Sequence, residues 1–331
     1  MNDTTSSAPR TWRDRLREVT AVSPLAASLG AGMMLLSTVT AVLAMAQPDH
    51  VILGTNGWMK PTKFSFSFGL YALSVQWLVS FLHERTPRVR GLVTTIALTC
   101  LLESLGATLQ AARGTRSHFN VETPFDAFIF AGMGLSVLVM LIASVWLMVH
   151  VLRQPIGDEP VFTLGLRAGL LVTLVGMTVP MLMLGARDYQ REEAKQVGRM
   201  RTAGAHAVGV SDGGPGLPLT NWSTEGGDLR VGHSVGVHAV QLLPLAAWLL
   251  ARARRSRLSV AQRVELVRVL ASVYLGLMVT LTVQALRAQP VLSPDGLTLG
   301  SLAAVLAFGL AAAAWVVRPG ASTPPELHGA W

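Results

Sequence analysis

The chain has 331 residues, 51% of them hydrophobic and only 14% charged, with a formal net charge of +8 at pH 7. The apolar residues gather into blocks of roughly 20, which excludes a soluble globular core and marks an integral membrane protein. No Lys/Arg run is interleaved with aromatics, so the basic excess faces anionic lipid and excludes a nucleic-acid partner, and the single Cys100 excludes a disulfide framework.

Residues 1–23 form a polar tail carrying Arg10, Arg13, Arg15 and Arg17, and Pro24–Ala46 is long enough to be the first span. A short loop ending in Asn56-Gly57-Trp58-Met59-Lys60-Pro61 leads into a second span at 63–82. The third, fourth and fifth spans follow at 91–112, 127–152 and 161–185. Residues 186–232 break the pattern: a charged, helix-forming stretch gives way to a segment rich in Gly, Pro, Ser and Asn, which reads as a surface helix followed by an ordered lid loop. Spans six, seven and eight lie at 233–251, 269–287 and 297–317, with a tail at 318–331. The expected fold is an all-α membrane bundle of eight transmembrane helices.

Loop charges predict the threading. With the N-terminus inside, the inner segments hold the tail arginines, then Arg85, Arg88 and Arg90, then Arg153, then Arg252, Arg254, Arg255, Arg257 and Arg263, and finally Arg318. The short outer loops hold only Lys60, Lys63, Arg113, Arg116 and Arg287. The positive-inside rule therefore places both termini in the cytoplasm. A sequence echo adds to the architecture: Thr108-Leu109-Gln110-Ala111-Ala112-Arg113 resembles Thr282-Val283-Gln284-Ala285-Leu286-Arg287, at matching outer helix ends. Duplication would make the bundle two parallel four-helix repeats.

This threading gathers the chemically interesting residues on the outer side. Glu103 lies near the middle of the third span, where an ionised carboxylate is disfavoured by several kcal/mol, so it is a functional candidate by default; the competing reading is a neutral Glu bonded to a Ser or Thr of another helix. Gln110 shares its helical face at a spacing of seven. Around it we expect a polar, ligand-binding pocket formed by Lys63, Glu103, Gln110, Arg113, His118, Asp228, Arg230, His238, Gln241, Gln284 and Arg287. Lys60 and Arg116 read as headgroup-facing. His238 and Gln241 share a face of the sixth span, whereas His233 lies ~140° around the axis, at the helix start. The pocket is expected to take a small molecule, with its cations suited to an anion, without a cofactor. The alternative is a metal or haem held by His118, His233 and His238 in a redox protein or enzyme, and a further one is a structural or assembly factor.

Three blocks carry a resemblance: Asn56-Gly57-Trp58-Met59-Lys60-Pro61-Thr62-Lys63-Phe64, the segment 110–120 that begins Gln110-Ala111-Ala112-Arg113 and contains Ser117-His118-Phe119-Asn120, and the segment 212–241. Together they resemble the recurring blocks of a family of uncharacterised bacterial polytopic membrane proteins without an assigned activity. This chain departs from the family at Ser234, where an aromatic usually follows the first histidine. The resemblance implies placement in the bacterial cytoplasmic (inner) membrane and nothing chemical.

Overall fold

The computed structural model describes residues 11–157, 159–253 and 258–318. Arg10, Arg254, Arg255 and Arg257, placed above on the inner side, lie outside the described residues, as does the tail beyond 318. Within the basic N-terminal segment the chain forms a short helix, α1 (Trp12–Thr20), opened by a Thr11/Asp14 capping box. Trp12 and Leu16 are exposed on it, the pattern of a helix lying in a membrane interface.

Four long helices begin where a capping residue is followed by proline. Ser23, Thr86, Thr123 and Glu159 each accept a backbone N–H, and Pro24, Pro87, Pro124 and Pro160 occupy the first helical position, where no N–H is needed. These start α2 (Pro24–Ala46), α4 (Pro87–Ala112), α5 (Pro124–Arg153) and α6 (Pro160–Thr178). Between α2 and α4 run a hairpin, β1 (Val51–Ile52) with β2 (Thr55–Asn56), and α3 (Met59–Val79). After α6 a 3₁₀ turn, Val179–Met183, leads to the surface helix α7 (Asp188–Val197). The loop region contributes an antiparallel pair, β3 (Ala207–Val208) and β4 (Gly227–Asp228), and then come α8 (Leu229–Val237), α9 (Ala239–Arg252), α10 (Val260–Leu286) and α11 (Gly296–Val316).

Among the described residues, six helices are long and apolar enough to cross a membrane, and the bent pair α8/α9 makes up to seven. The expected second span, α3, is a helix of 21 residues but is not one of these; it carries Lys60, Lys63, three serines and the buried Gln76.

The sixth span departs from the expected continuous helix, because it bends by 43° at His238. Two breaks face each other here and repair one another. In α6, Pro180 has no N–H for the carbonyl of Gly176, and His233 Nδ1 lies 2.9 Å from that oxygen. At the α8/α9 bend, the Val240 N–H donates instead to Thr173 Oγ1 at 2.9 Å, and that hydroxyl turns toward the Gly236 and Val237 carbonyls. Close approach makes this possible: a Cβ at Gly176 would meet the Gly236 Cα at 2.6 Å. The main apolar core lies among α2 to α6, with smaller clusters joining α6 to α9 and α10.

Candidate functional site

At the end of the bundle that carries the β1–β2 hairpin and the Gly/Pro-rich loop, between α3, α4 and α5 on one side and α6, α8 and α9 on the other, lies a cavity of about 630 Å³. That volume falls within the range of small-molecule sites. Of the expected pocket residues, Lys63, Glu103, His118, Arg230, His238 and Gln241 line it; Gln110, Arg113, Asp228, Gln284 and Arg287 do not.

Glu103 sits at the deep end, 1% exposed. Ser136 Oγ donates to its Oε1 at 2.6 Å, so the serine partner expected of interhelical glue is present. Its Oε2 has no hydrogen-bond partner and lies 3.9 Å from His118 Nε2. One carboxylate oxygen is thus held and the other left at the cavity wall.

His118 stands on the α4–α5 loop among Phe64, Phe119, Phe130 and His206, with ring centroids 5.3 to 6.5 Å away. The loop is fixed by Phe119, which adopts a left-handed φ of 59°, a conformation that costs roughly 1 kcal/mol or more for a residue with a Cβ. The Ala203 N–H donating to the Phe119 carbonyl at 3.0 Å and the Asn120 amide donating to Thr115 and Arg116 hold it there. Burial, reinforced by the Lys60 charge, holds the His118 imidazole well below its usual pKa and therefore neutral.

The neighbouring imidazole is the residue missed in the sequence. His206 sits one position before β3, and its Nδ1 lies 2.6 Å from Asp212 Oδ2. The Asp212 carboxylate also accepts the backbone N–H groups of His206 and Ala207, through a turn closed by Gly209 and Gly213 at positive φ. Those bonds hold Asp212 below the usual carboxylate range, while burial lowers His206 to about 4, so the pair is a neutral imidazole donating to a carboxylate. Nδ1 is taken, and Nε2, the acceptor of the neutral ring, has no partner among the described residues at the cavity wall. The available signal was the His206-x5-Asp212 spacing around a Gly-containing turn, weak until the turn is known.

Lys60, read as headgroup-facing, lines the cavity instead. Among the described residues it makes no hydrogen bond, and its Nζ lies 5.5 Å over the Phe64 ring. The cations singled out in the sequence are engaged: Lys63 Nζ donates to the Thr220 carbonyl at 3.0 Å, and Arg230 pairs with Asp228 at 2.6 Å and donates to the Asn221 carbonyl at 2.5 Å. Both hold the lid loop, of which Ser211, Asp212, Gly213 and Gly214 and then Thr220, Asn221, Trp222 and Ser223 form the outer wall.

His238 faces the cavity from the α8/α9 bend, and one turn on Gln241 Nε2 donates to Ser74 Oγ at 3.1 Å, leaving its own carbonyl oxygen without a partner. His233 also lines the cavity, but its Nδ1 serves the Gly176 carbonyl. Among the described residues no group of three or more His, Cys, Asp or Glu side chains is arranged to hold a metal ion, so His118, His233 and His238 are not brought together as ligands.

The remaining expected residues form two clamps. In the first, Gln110 Nε2 and Arg113 Nη1 donate to Asp126 Oδ1 at 2.9 and 2.5 Å, Thr123 Oγ1 donates to Oδ2 at 2.6 Å, and Arg113 lies over the Phe125 ring. In the second, Arg287 pairs with Asp295 at 2.5 Å, and Gln284 Nε2 donates to the Pro290 carbonyl at 2.7 Å. Asp228 is the buried N-cap of α8. Comparison with known proteins yields no match to a family model, a curated protein or a solved structure.

Proposed function

We propose that the protein binds or transports a small anionic molecule through this cavity on the outer side of a bacterial inner membrane. The observation that carries the reading is the incomplete set of partners at one place: the Lys60 ammonium, the open Nε2 of His206 and the free Oε2 of Glu103, unpaired among the described residues, all face the same space, and Phe64, Phe130, Met133 and Met177 supply apolar wall beside them. An anion supplies the partner that Lys60 lacks, the His206 Nε2 accepts from a hydroxyl of the ligand, and Glu103, when protonated, donates to the anion. Glu103 sits where a bound anion favours its protonated form, which couples occupancy to a proton.

The same reading takes α3 as a spanning helix, which gives eight, with both termini cytoplasmic. Duplication is supported by related clamps: in each half the Arg of a Gln-x-x-Arg at the end of the third helix pairs with an Asp at the start of the fourth, although Gln110 bonds that Asp and Gln284 bonds the Pro290 carbonyl instead. The bacterial membrane-protein resemblance stands beside this reading as a proposal.

The test is the melting temperature of the purified protein with phenyl phosphate and octyl phosphate, against phenyltrimethylammonium and octyltrimethylammonium. Stabilisation by an anion above its matching cation, lost in Lys60→Gln, is expected. No preference for either anion refutes the reading. An ultraviolet-visible spectrum with metal analysis tests the histidine-cofactor alternative on the same sample.

A further inference from the structure

We infer that the anion is a membrane lipid, or a lipid-like amphiphile with an anionic headgroup, that enters sideways from the outer leaflet between α5 and the 3₁₀ turn after α6. The inference rests on the anion-binding reading above and names its substrate class.

On the aqueous side, the cavity is covered. The lid is tied down at three points: Lys63 to the Thr220 carbonyl, Arg230 to the Asn221 carbonyl, and the Ser223 N–H to Asp228 Oδ2 at 2.8 Å. It also rests on the first outer hairpin, where a Cβ at Gly54 would meet the Gly213 carbonyl oxygen at 2.6 Å. Four bonded or packed contacts do not part for each passing solute without loss.

On the membrane side the wall is incomplete. Met181 and Leu184, 41% and 52% exposed, belong both to the cavity wall and to the apolar outer surface of the bundle. Opposite them Gly134 of α5 also lines the cavity; it is exposed, and a Cβ there would meet nothing within 4 Å. Pro180 is the cause, since it ends α6 one turn early and the chain leaves the helix line just where the gap opens. Its neighbours Leu135 and Leu138 on α5 are lipid-facing, 63% and 45% exposed. An opening framed by apolar side chains at membrane depth admits acyl chains and repels hydrated ions. Inside, the chain meets Phe130, Met133 and Met177, and the headgroup reaches Lys60 and His206 beneath the lid.

The experiment uses the full chain in nanodiscs of phosphatidylcholine containing a minor fraction of phosphatidylglycerol with a diazirine in one acyl chain. After irradiation, adducts are mapped by mass spectrometry, with acyl-diazirine phosphatidylcholine as the headgroup control. Adducts on Met133 and Met177 are expected from phosphatidylglycerol and not from phosphatidylcholine, falling about thirtyfold or more in Lys60→Gln, as loss of a buried ionic partner predicts. Gly134→Trp, which fills the gap, should remove them, and Leu135→Trp, on the lipid face, should not; melting curves of both variants establish that they are folded. Adducts confined to lipid-facing positions such as Leu135 and Leu138, together with Lys60-dependent stabilisation by phenyl phosphate, overturn the lipid assignment and leave the anion site standing. Equal labelling by both lipids overturns headgroup selection. If neither the lipid nor the soluble anions bind, the anion-binding reading fails with it.

Discussion

Two sets of polar side chains lie at the lid end of the bundle, and they differ in how completely their hydrogen-bonding capacity is used. Around Asp126, one oxygen accepts from Gln110 and Arg113, the other from Thr123, and the guanidinium is stacked on an aromatic ring. Two turns below Gln110 on α4, Glu103 has one oxygen bonded and the other bare, at a cavity that the unbonded Lys60 ammonium also lines. A saturated buried network fixes structure, and an unsaturated one costs stability unless something fills it. The contrast assigns the first set to joining helices and the second to holding a ligand.

The sharpest way to break this division is to open the clamp. Asp126→Ala strands Arg113 and Gln110 and should lower stability by about 2 kcal/mol, less than the ~3–5 for a fully interior pair because the guanidinium is one-third exposed. A thermal melt in detergent reads it. Asp295→Ala, in the more exposed second clamp, should shift the melt by visibly less; an equal or larger effect would undo the equivalence of function with burial.

Acidification probes the lid. The folded pKa of His206 lies below its ordinary value of 6.5, so its contribution is full above that value and declines as pH falls toward about 4; Asp212, also lowered, adds a further loss below its ordinary 3.8. Protease sensitivity of the segment 205–224 should therefore rise as pH drops through that window, and His206→Gln should flatten the dependence. An unchanged profile in the variant would mean that another group carries it.

The two histidines of the sixth span come next. His233→Ala leaves the Gly176 carbonyl without its partner and should cost about 1 kcal/mol, whereas His238→Ala, which breaks no side-chain hydrogen bond, should change stability by less than ~0.5 kcal/mol and act on ligand affinity. Equal melts for the two would contradict their separation. The smallest effect on stability concerns orientation: in a Cys100→Ala background, an impermeant thiol reagent should label Ser211→Cys from outside and leave Glu84→Cys, on the opposite side of the bundle, unlabelled in intact cells.

How much of this was legible in the sequence follows from how local each cause is. The start at Pro24 was legible to the residue, whereas the expected third span begins at 91 although Thr86-Pro87 marks the start of α4, because the apolar run begins a turn after the cap. The bend at His238 was not legible, because the group that repairs it is Thr173 on another helix. Glu103 stood out by its depth in an apolar run, yet Gln110, on the same face, belongs to the clamp, since Asp126 of the next helix reaches only the last turn of α4. The dyad of His206 and Asp212 hid in a polar loop, where a turn rather than a periodic pattern brings the two together. Lys60 looked like a headgroup contact because a spacing of three from Lys63 shows a shared face but not which of the two is already bonded.

The most direct test of the division between clamp and cavity is isothermal titration calorimetry of octyl phosphate on the wild type, Lys60→Gln and Arg113→Gln, each with its melt. The account predicts binding weaker by about thirtyfold or more with an unchanged melt for Lys60→Gln, and wild-type affinity with a lowered melt for Arg113→Gln. Affinity lost in Arg113→Gln and kept in Lys60→Gln would contradict it.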